Sequence, residues 1–488
     1  MLRLKLNWNE IIKNKSLRFK VIAAATAVAL LLVTVGVIFA VVNSADNDYD
    51  DIDIESEVNI VTNSDDSSMD DNSMVFGEPK IILTTEMTMS QTTMTFEMNI
   101  TCAYIDWGDG EIVEINGSEI PIEYEGQYED TYYYEMSYSG ELKGNIVKIY
   151  SEEDITCFNC HLEHLFALDV SHNTKLKVLD CSNNKLSSLD LSKNLSLEYV
   201  DCCFNALTKL DMSKNIKLEY LCCSNNNLVE LNISKNQALK NLYCSSNKLP
   251  SLDVSENTAL IELSCSWNLL TKLNVSKNQA LKNLYCGDNE LTELDTSKNT
   301  SLIKLSCYNN SLTELDLSNN LALKGLYCGL NKLTELDTSK NTSLTELSCY
   351  NNLFTTIDIP KNTLLEKFNC SYNKNLTNLN LSKNTKLIIL LCNDCSLSKL
   401  NVSKNTLLEE LNCSNNKLKS INVSKNVNLV HFNCSYNNLK SLNVSKNKKL
   451  YELDYRGNKN ITPPNTSNNK KLEYLNSDTG ECECGEWS

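Results

Sequence analysis

The feature that most constrains this chain is a cysteine that returns every 21 residues over more than half of its 488 residues. The same leucine and asparagine positions accompany each cysteine, so a whole structural unit has been repeated. A fixed short period of this kind indicates a solenoid, in which each repeat buries its apolar residues only against its neighbours. The product is a rod or arc with one extended face. The series runs through Cys160, Cys181, Cys202, Cys223, Cys244, Cys265, Cys286, Cys307, Cys328, Cys349 and Cys370, and after one 22-residue step through Cys392, Cys413 and Cys434.

Each repeat reads L-x-x-L-x-C-x-x-N-x-L, followed by x-x-L-D-V-S-K-N-x-x. This frame resembles the leucine-rich repeat, with cysteine in place of its third leucine, and is most similar to bacterial cell-surface repeats of the internalin type. The resemblance covers residues 155–477, about 15 turns. It implies a right-handed leucine-rich repeat solenoid that is mostly β, with one parallel sheet and a face that binds partners.

The alternation within one repeat predicts which side chains are buried. Leu242 and Cys244 fall on one side of an extended segment and Tyr243 on the other, so leucine and cysteine should point inward. Twenty-one residues leave little room for a helix, and the second half of the repeat has its own alternation. We therefore expect two extended segments per turn and little helix.

Two columns of asparagine mark the corners of the turns, where an amide can serve both donors and acceptors of the backbone. We predict that both columns are structural. The repeat pattern weakens after the extra residue near Lys374-Asn375, and Tyr455 and Ser477 stand at the ladder position in the last two turns, which resemble a degenerate cap. The columns begin with Asn184, Asn205, Asn226 and Asn247, and with Asn194, Asn215, Asn236 and Asn257.

The first 74 residues predict a membrane anchor and a tether. Residues 1–20 are basic, and residues 21–43 contain an uncharged run long enough to cross a bilayer as a helix. The positive-inside rule then places the N-terminus in the cytoplasm and the C-terminal region outside, as in a single-pass cell membrane protein. A long signal peptide cleaved near Val42-Asn43-Ser44, giving a secreted protein, is the alternative. Residues 44–74 are rich in Asp, Ser and Asn and predict a disordered acidic linker.

Residues 75–154 form a separate segment with short alternating runs that predict a small β-sandwich. The sequence Asp106-Trp107-Gly108-Asp109-Gly110, followed by a tyrosine-rich strand, resembles the PKD-like domains, which are immunoglobulin-like sandwiches. The two glycines predict a tight hairpin with unusual backbone angles. A calcium site at Asp106 and Asp109 is an alternative, although two carboxylates are fewer than calcium requires. We expect this domain to cap the first repeat, while residues 478–488 form a loose tail.

The chain has 21 cysteines, which in an extracytoplasmic protein raises the question of disulfides. Ladder cysteines occupy leucine positions, so we expect buried free thiols. Cys203 and Cys222 should face outward on neighbouring turns, but two positions apart on the diagonal, at an α-carbon separation of about 8 Å that is too long for a disulfide. Cys395 stands at an asparagine position and is expected to replace its packing only.

Two cysteine patterns leave a cofactor question open. Cys157-Phe158-Asn159-Cys160-His161 matches the haem attachment pattern C-x-x-C-H, and His164 adds a possible zinc ligand. Because Cys160 begins the ladder and Phe158 occupies an inward position, we interpret the match as accidental and predict no metal and no cofactor. The tail also contains Cys482-x-Cys484, for which a metal or a covalent attachment is the alternative to a structural role.

Function is predicted on the outward face of the parallel sheet, where tyrosines lie among serine, glycine, glutamate and lysine. Tyrosine rings supply large contact area with few torsions to order. Cross-strand packing that stabilises the sheet is the alternative role for these rings. We predict a non-enzymatic adhesin or receptor for an extracellular protein or glycan, with no nucleic acid partner. The alternative is a structural spacer or envelope component that self-associates or binds the cell wall. The four histidines fit no catalytic motif, which argues against an enzyme. The predicted ligand-binding residues are Tyr199, Tyr220, Tyr243, Tyr285, Tyr308, Tyr327 and Tyr350.

Overall fold

The computed structural model describes residues 77–85, 93–119 and 136–477, and these residues form strands and turns with no helix. None of the described segments is a helix long and apolar enough to cross a bilayer. The predicted membrane segment at 21–43, the acidic linker at 44–74 and the tail at 478–488 lie outside the described residues, so these predictions are untested.

Two antiparallel sheets precede the repeats. One has the strand order β4-β3-β7-β1-β9, and in the other β5 pairs with β6, β6 with β2 and β2 with β8. Their core is aromatic: the ring of Phe96 lies 5.8 Å from Trp107, 6.0 Å from Tyr138 and 5.9 Å from Phe158. The strands are β1 (Ile81–Thr85), β2 (Thr93–Met98), β3 (Cys102–Asp106), β4 (Ile112–Asn116), β5 (Ser118–Glu119), β6 (Met136–Glu141), β7 (Ile146–Tyr150), β8 (Cys157–Asn159) and β9 (Leu165–Asp169).

The hairpin between β3 and β4 confirms the predicted backbone angles, since φ is 113° at Gly108 and 86° at Gly110. One carboxylate oxygen of Asp106 accepts the amide N–H groups of both glycines, at 2.8 and 2.9 Å. Asp109 lies 2.6 Å from the ammonium group of Lys143. Both carboxylates therefore have partners, Asp106 within the turn and Asp109 on the segment between β6 and β7. The PKD-like and immunoglobulin-like assignment of residues 75–154 stays a prediction.

The first turn of the solenoid belongs to both parts of the structure. Strand β8 pairs antiparallel with β2, and β9 pairs antiparallel with β1, so each sheet of the sandwich is extended by one strand of the first repeat. Phe158 in β8 is fully buried, and the Nδ2 group of Asn159 donates to Glu97 at 2.7 Å. The apolar end of the repeats is therefore covered by the sandwich rather than exposed to water.

From β8 onward, one parallel sheet runs through the repeats with the same three-residue strand in every turn. Equivalent residues pair along the sheet, as in Leu242 with Leu263. From β10 to β23 the central leucine and the ladder cysteine of each turn are 0–1 % exposed where these residue types occur, which confirms the predicted inward direction. The strands are β10 (Val178–Asp180), β11 (Tyr199–Asp201), β12 (Tyr220–Cys222), β13 (Asn241–Tyr243), β14 (Glu262–Ser264), β15 (Asn283–Tyr285), β16 (Lys304–Ser306), β17 (Gly325–Tyr327), β18 (Glu346–Ser348), β19 (Lys367–Asn369), β20 (Ile389–Leu391), β21 (Glu410–Asn412), β22 (His431–Asn433), β23 (Glu452–Asp454) and β24 (Tyr474–Asn476).

The first asparagine column satisfies backbone groups from two neighbouring turns at once. The Nδ2 group of Asn247 donates to the carbonyl oxygens of Cys223 and Cys244, at 2.9 and 3.2 Å. Its Oδ1 atom accepts the amide N–H of Leu228 at 2.9 Å. Because these backbone groups would otherwise be buried without a partner, the column stabilises each corner and the predicted structural role is confirmed.

The second asparagine column is also buried but is only half satisfied. Asn257 is 0 % exposed, and its Nδ2 group donates to the carbonyl oxygens of Ile233 and Asn236 at 3.0 and 2.8 Å. Its Oδ1 atom has no hydrogen-bond donor. The second half of the repeat forms turns with two isolated bridges, Asp211 with Asn232 and Ser441 with Thr462, so the second extended segment does not build a second sheet.

Two predictions about cysteine were wrong. Cys203 and Cys222 form a disulfide with their α-carbons 5.7 Å apart. The diagonal estimate assumed a straight strand, whereas β11 ends at Asp201 and the chain then turns, with Phe204 at a φ of 54°, so Cys203 comes closer to Cys222. Cys395 does more than fill space, because its thiol donates to the carbonyl oxygen of Cys370 at 3.4 Å, as an asparagine amide does elsewhere.

The irregular end of the repeats keeps the sheet continuous. Strands β19 and β20 remain in register, with Lys367 opposite Ile389, so the extra residue is accommodated outside the sheet. Tyr455 occupies the ladder position and is 8 % exposed, which shows that the last turns still bury a large side chain there. Beyond it, the amide of Tyr455 donates to the carbonyl oxygen of Asn476 in the last described strand.

Candidate functional site

The outward face of the parallel sheet, called the sheet face here, presents its candidate site in two adjacent rows. The strand row contains the third residue of each strand, and the corner row contains the residue that follows the ladder cysteine. Both rows flank the inward cysteine, so their side chains lie on the opposite side from the core. Between turns β13 and β18 the strand row reads Tyr243, Ser264, Tyr285, Ser306, Tyr327 and Ser348, and the corner row reads Ser245, Ser266, Gly287, Tyr308, Gly329 and Tyr350.

From Tyr285 to Tyr350 the two rows form a checkerboard of large and small residues. Each turn places one tyrosine in one row and a glycine or serine in the other, and the next turn reverses the order. Two tyrosines of the same row are therefore two turns apart, about 9.6 Å at the strand spacing of a parallel sheet. This 42-residue alternation is visible in the sequence, but the 21-residue repeat conceals it.

The small residues make room for the rings. A Cβ atom at Gly287 would lie 2.6 Å from Cε1 of Tyr308, and a Cβ atom at Gly329 would collide with the ring of Tyr350. Each of these tyrosines therefore leans over the preceding turn and occupies the space that its glycine leaves. The four tyrosines of the checkerboard are half-buried, so their rings are held in place while part of each remains accessible.

Charged residues connect the tyrosines of the strand row. The ammonium group of Lys304 lies 5.8 Å from the ring centroid of Tyr285 and 5.5 Å from that of Tyr327, within the range of cation–π attraction. The hydroxyl of Tyr327 donates to the carboxylate of Glu346, which also lies 2.8 Å from Lys367. Hydrogen bonds from Lys367 and then Tyr327 lower the pKa of Glu346, so this carboxylate is ionised at neutral pH.

The tyrosines toward the N-terminus form a separate stack. Tyr199 and Tyr220 lie opposite each other in β11 and β12, with ring centroids 4.2 Å apart and planes nearly parallel. The ring of Tyr243 lies 5.4 Å from Tyr220 and is tilted by 44°. The structure thus divides the seven predicted residues into a stack of three and a checkerboard of four, with Glu262 and Ser264 on the strand between them. Their role in ligand binding stays a prediction.

Sequence reasoning missed Trp267, which extends the site at the corner of the turn. Trp267 is 50 % exposed and has a φ of 56°, a left-handed conformation that is costly for a bulky residue. Burial raises the pKa of Tyr308, the carboxylate of Asp288 adds to this rise, and a hydrogen bond from the indole of Trp267 opposes it. Most other turns have Asn, Asp or Ser at this corner, but Phe204, Tyr372 and Tyr436 are aromatic there too, so the sequence alone did not single out Trp267.

A groove lies on the other half of the same turns. It encloses about 1370 Å³ and is lined by carboxylates from successive repeats, among them Glu293, Asp295, Glu314, Asp316 and Glu335. The carboxylates of this acidic groove differ chemically from the tyrosines of the sheet face. It provides surface positions whose substitution serves as a control for the tyrosines.

The C-x-x-C-H pattern is divided between the strand and the ladder. Cys157 and Phe158 lie in β8, Cys160 is the first buried cysteine of the ladder, and His161 bonds to the side chain of Asn159 at 2.8 Å. The imidazole of His161 therefore has a partner within its own turn. His164 has a φ of 55° and is exposed at the following corner.

Comparison with known proteins gives matches among solved structures. The functional domain of InlJ from Listeria monocytogenes, which includes a cysteine ladder, is 33 % identical over 65 % of this chain and 76 % of that chain, with a TM-score of 0.60. A leucine-rich repeat protein of Leptospira interrogans is 25 % identical over 60 % of this chain and 81 % of that chain, with a TM-score of 0.57. No protein-family model matches the chain, and no curated protein matches it.

Proposed function

We propose that this chain, which belongs to the internalin-like leucine-rich repeat proteins with a cysteine ladder, is a non-enzymatic binding protein that recognises an extracellular protein on its sheet face. Membership of the family accounts for the solenoid, but a shared fold does not determine the ligand. The ligand class is therefore argued from the residues that distinguish this chain within its repeat frame.

The tyrosine checkerboard is the observation that carries the proposal. A sheet needs no alternation of tyrosine with glycine for its stability, and these glycines lie at the corners beyond the strands. Here Gly287 and Gly329 leave the space on the surface in which the rings of Tyr308 and Tyr350 lie. Tyrosines ordered before binding lose little conformational entropy when a partner arrives, which favours affinity.

Size and polarity favour a protein over other partners. The sheet face from Tyr243 to Tyr350 covers five strand spacings, about 24 Å, which suits a standard interface of ~800 Å² on each partner. Lys304, Glu346 and Lys367 place both signs of charge among the rings. A mixture of aromatic anchors and complementary charges is typical of protein interfaces.

The proposal includes the location of the repeats outside the cell. The uncharged segment at 21–43 would anchor the chain in the membrane as a single span, and residues 44–74 would tether the repeats at a distance from the bilayer. The basic residues that precede the segment support an external C-terminal region. Digestion by protease added to intact cells would remove the repeats under this topology and leave them intact under the opposite one.

The binding test uses the full chain in detergent and a variant in which Tyr285, Tyr308, Tyr327 and Tyr350 are all changed to Ser. Each is immobilised and exposed to extracellular protein fractions, untreated, protease-treated or periodate-treated. We expect a protease-sensitive partner that binds the parent chain and is lost by the variant with unchanged far-ultraviolet circular dichroism. A matched control with Glu314→Gln in the acidic groove should retain the partner.

Other outcomes contradict the proposal in different ways. Equal retention by the tyrosine variant would place the site elsewhere on the molecule. A periodate-sensitive ligand that resists protease would indicate a glycan. Concentration-dependent self-association in sedimentation, with no external partner, would favour a structural spacer.

A further inference from the structure

The disulfide lies on the sheet face beside a carboxylate that nothing in the proposed binding role uses. Asp201 is the last residue of β11, Cys222 is its direct partner in β12, and Cys203 follows in the corner row. A carboxylate oxygen of Asp201 and the two sulfur atoms all lie within 4.8 Å of one another. Within residues 77–85, 93–119 and 136–477, this is the one place where three side chains with metal-binding atoms converge in this way.

We propose that Asp201, Cys203 and Cys222 form a zinc site when the disulfide is reduced, so that this position alternates between a covalent bond and a bound metal ion. A dithiol reductant supplies two electrons and two protons to the disulfide and is itself oxidised to a disulfide. Zinc then displaces the two thiol protons and binds both thiolates. The proposal rests on this geometry and is independent of the proposed binding function.

The chemistry of the three groups favours zinc. Zinc prefers four-coordinate sites of cysteine sulfur, histidine nitrogen and carboxylate oxygen, and two thiolates with one carboxylate supply three of the four ligands. Hard cations such as magnesium and calcium prefer oxygen alone. A water molecule would supply the fourth ligand. Asp180 precedes Asp201 in the strand row and adds a second negative charge beside the site.

The arrangement also separates this pair from the cysteine ladder. Cys202 and Cys223 belong to the same two turns, but they point into the core and are 0 % exposed. Cys203 and Cys222 face away from this core and, although largely covered, keep 6 % and 9 % of their surface in contact with solvent. The amide N–H of Cys203 donates to Oδ1 of Asp201 at 2.9 Å, which holds this carboxylate beside the outward pair.

The test uses the full chain, reduced with a phosphine under anaerobic conditions, freed of reductant and titrated with cobalt(II) chloride. We expect thiolate-to-cobalt absorption in the near ultraviolet that saturates at one equivalent and disappears when zinc chloride is added. Cys203→Ser and Cys222→Ser should each abolish this absorption, and Asp201→Asn should weaken zinc affinity at least tenfold. The oxidised chain should show no such absorption at this position.

Two controls keep the assignment specific. The double change Cys482→Ser and Cys484→Ser removes the thiols of the tail and should leave one equivalent of cobalt bound. Cys102→Ser removes a thiol of the sandwich and should have no effect. The proposal is overturned if the folded, reduced chain develops no thiolate absorption, or if the absorption survives in Cys203→Ser or Cys222→Ser.

Discussion

The half-satisfied asparagine column provides a sharp test of what stabilises each turn. At two positions a threonine takes the place of the usual aliphatic residue and completes the column. The hydroxyl of Thr338 is 1 % exposed and donates to Oδ1 of Asn362 at 2.8 Å, while the Nδ2 group of Asn362 donates to two carbonyl oxygens. Val254 stands at the equivalent place four turns earlier, and Oδ1 of its partner Asn278, in the same column, has no donor.

The change Thr338→Val keeps the shape of the side chain and removes only this hydrogen bond. Leaving a buried acceptor without a donor costs about 1–3 kcal/mol. Replacing the hydroxyl with a methyl group returns roughly 1 kcal/mol through apolar burial. The middle of the first range, about 2 kcal/mol, less this return leaves a net loss of about 1 kcal/mol in the free energy that closes this turn, and we expect a gain of similar size for the reverse change Val254→Thr.

Amide hydrogen exchange measured by mass spectrometry resolves this local effect, because a solenoid opens turn by turn. A loss of about 1 kcal/mol should make peptides covering residues 330–366 exchange about 5 times faster in Thr338→Val. Peptides covering 246–282 should exchange more slowly in Val254→Thr. Peptides 246–282 should be unaffected by Thr338→Val, and peptides 330–366 should be unaffected by Val254→Thr, so each variant serves as the control for the other. Unchanged or slower exchange in Thr338→Val, together with faster exchange in Val254→Thr, would refute the role assigned to the threonine hydroxyl.

Three further predictions concern other parts of the molecule. Burial raises the pKa of Glu163 to about 7, so the folded chain keeps a proton that the unfolded chain loses near pH 4.5. The free energy of unfolding should therefore fall as the pH rises between these two values. Glu163→Gln should reduce the change in thermal midpoint between pH 5 and 8. An undiminished change would contradict this. Gly287→Val should displace the ring of Tyr308 and weaken partner binding about tenfold with unchanged far-ultraviolet circular dichroism; full affinity would show that ring position is unimportant. Cys286 is 0 % exposed with its pKa raised by burial, so iodoacetamide should label it only in urea; labelling of the native chain would disprove its burial.

The architecture of the repeats could be predicted because every turn is locally the same. A leucine, a cysteine and two asparagines return at constant spacing, so the inward direction of Leu242 and Cys244 and the structural role of Asn247 follow from one repeat. In a solenoid each turn contacts only its neighbours, so a correct account of one turn applies to nearly all of them.

The features particular to this chain depend on contacts between turns, which a repeat pattern does not contain. The disulfide of Cys203 and Cys222 requires the chain to bend after β11, and a straight-strand estimate placed the two residues too far apart. The hydroxyl of Thr338 donates a hydrogen bond to Oδ1 of Asn362, 24 residues away, although Thr338 occupies an apolar position of the repeat. The separation along the sequence is fixed by the repeat, but the side chains meet only because of how the backbone turns between strands.

The same distinction holds at the candidate site. The tyrosines were recognisable as outward-facing residues, because strand alternation alone decides that direction. Their division into a stack and a checkerboard, the glycines beneath Tyr308 and Tyr350, and the addition of Trp267 were decided by the tertiary structure. Alternation along the strand determines the face on which a side chain lies. The final position of a tyrosine ring depends on the space left by the residue 21 positions earlier, in the preceding turn.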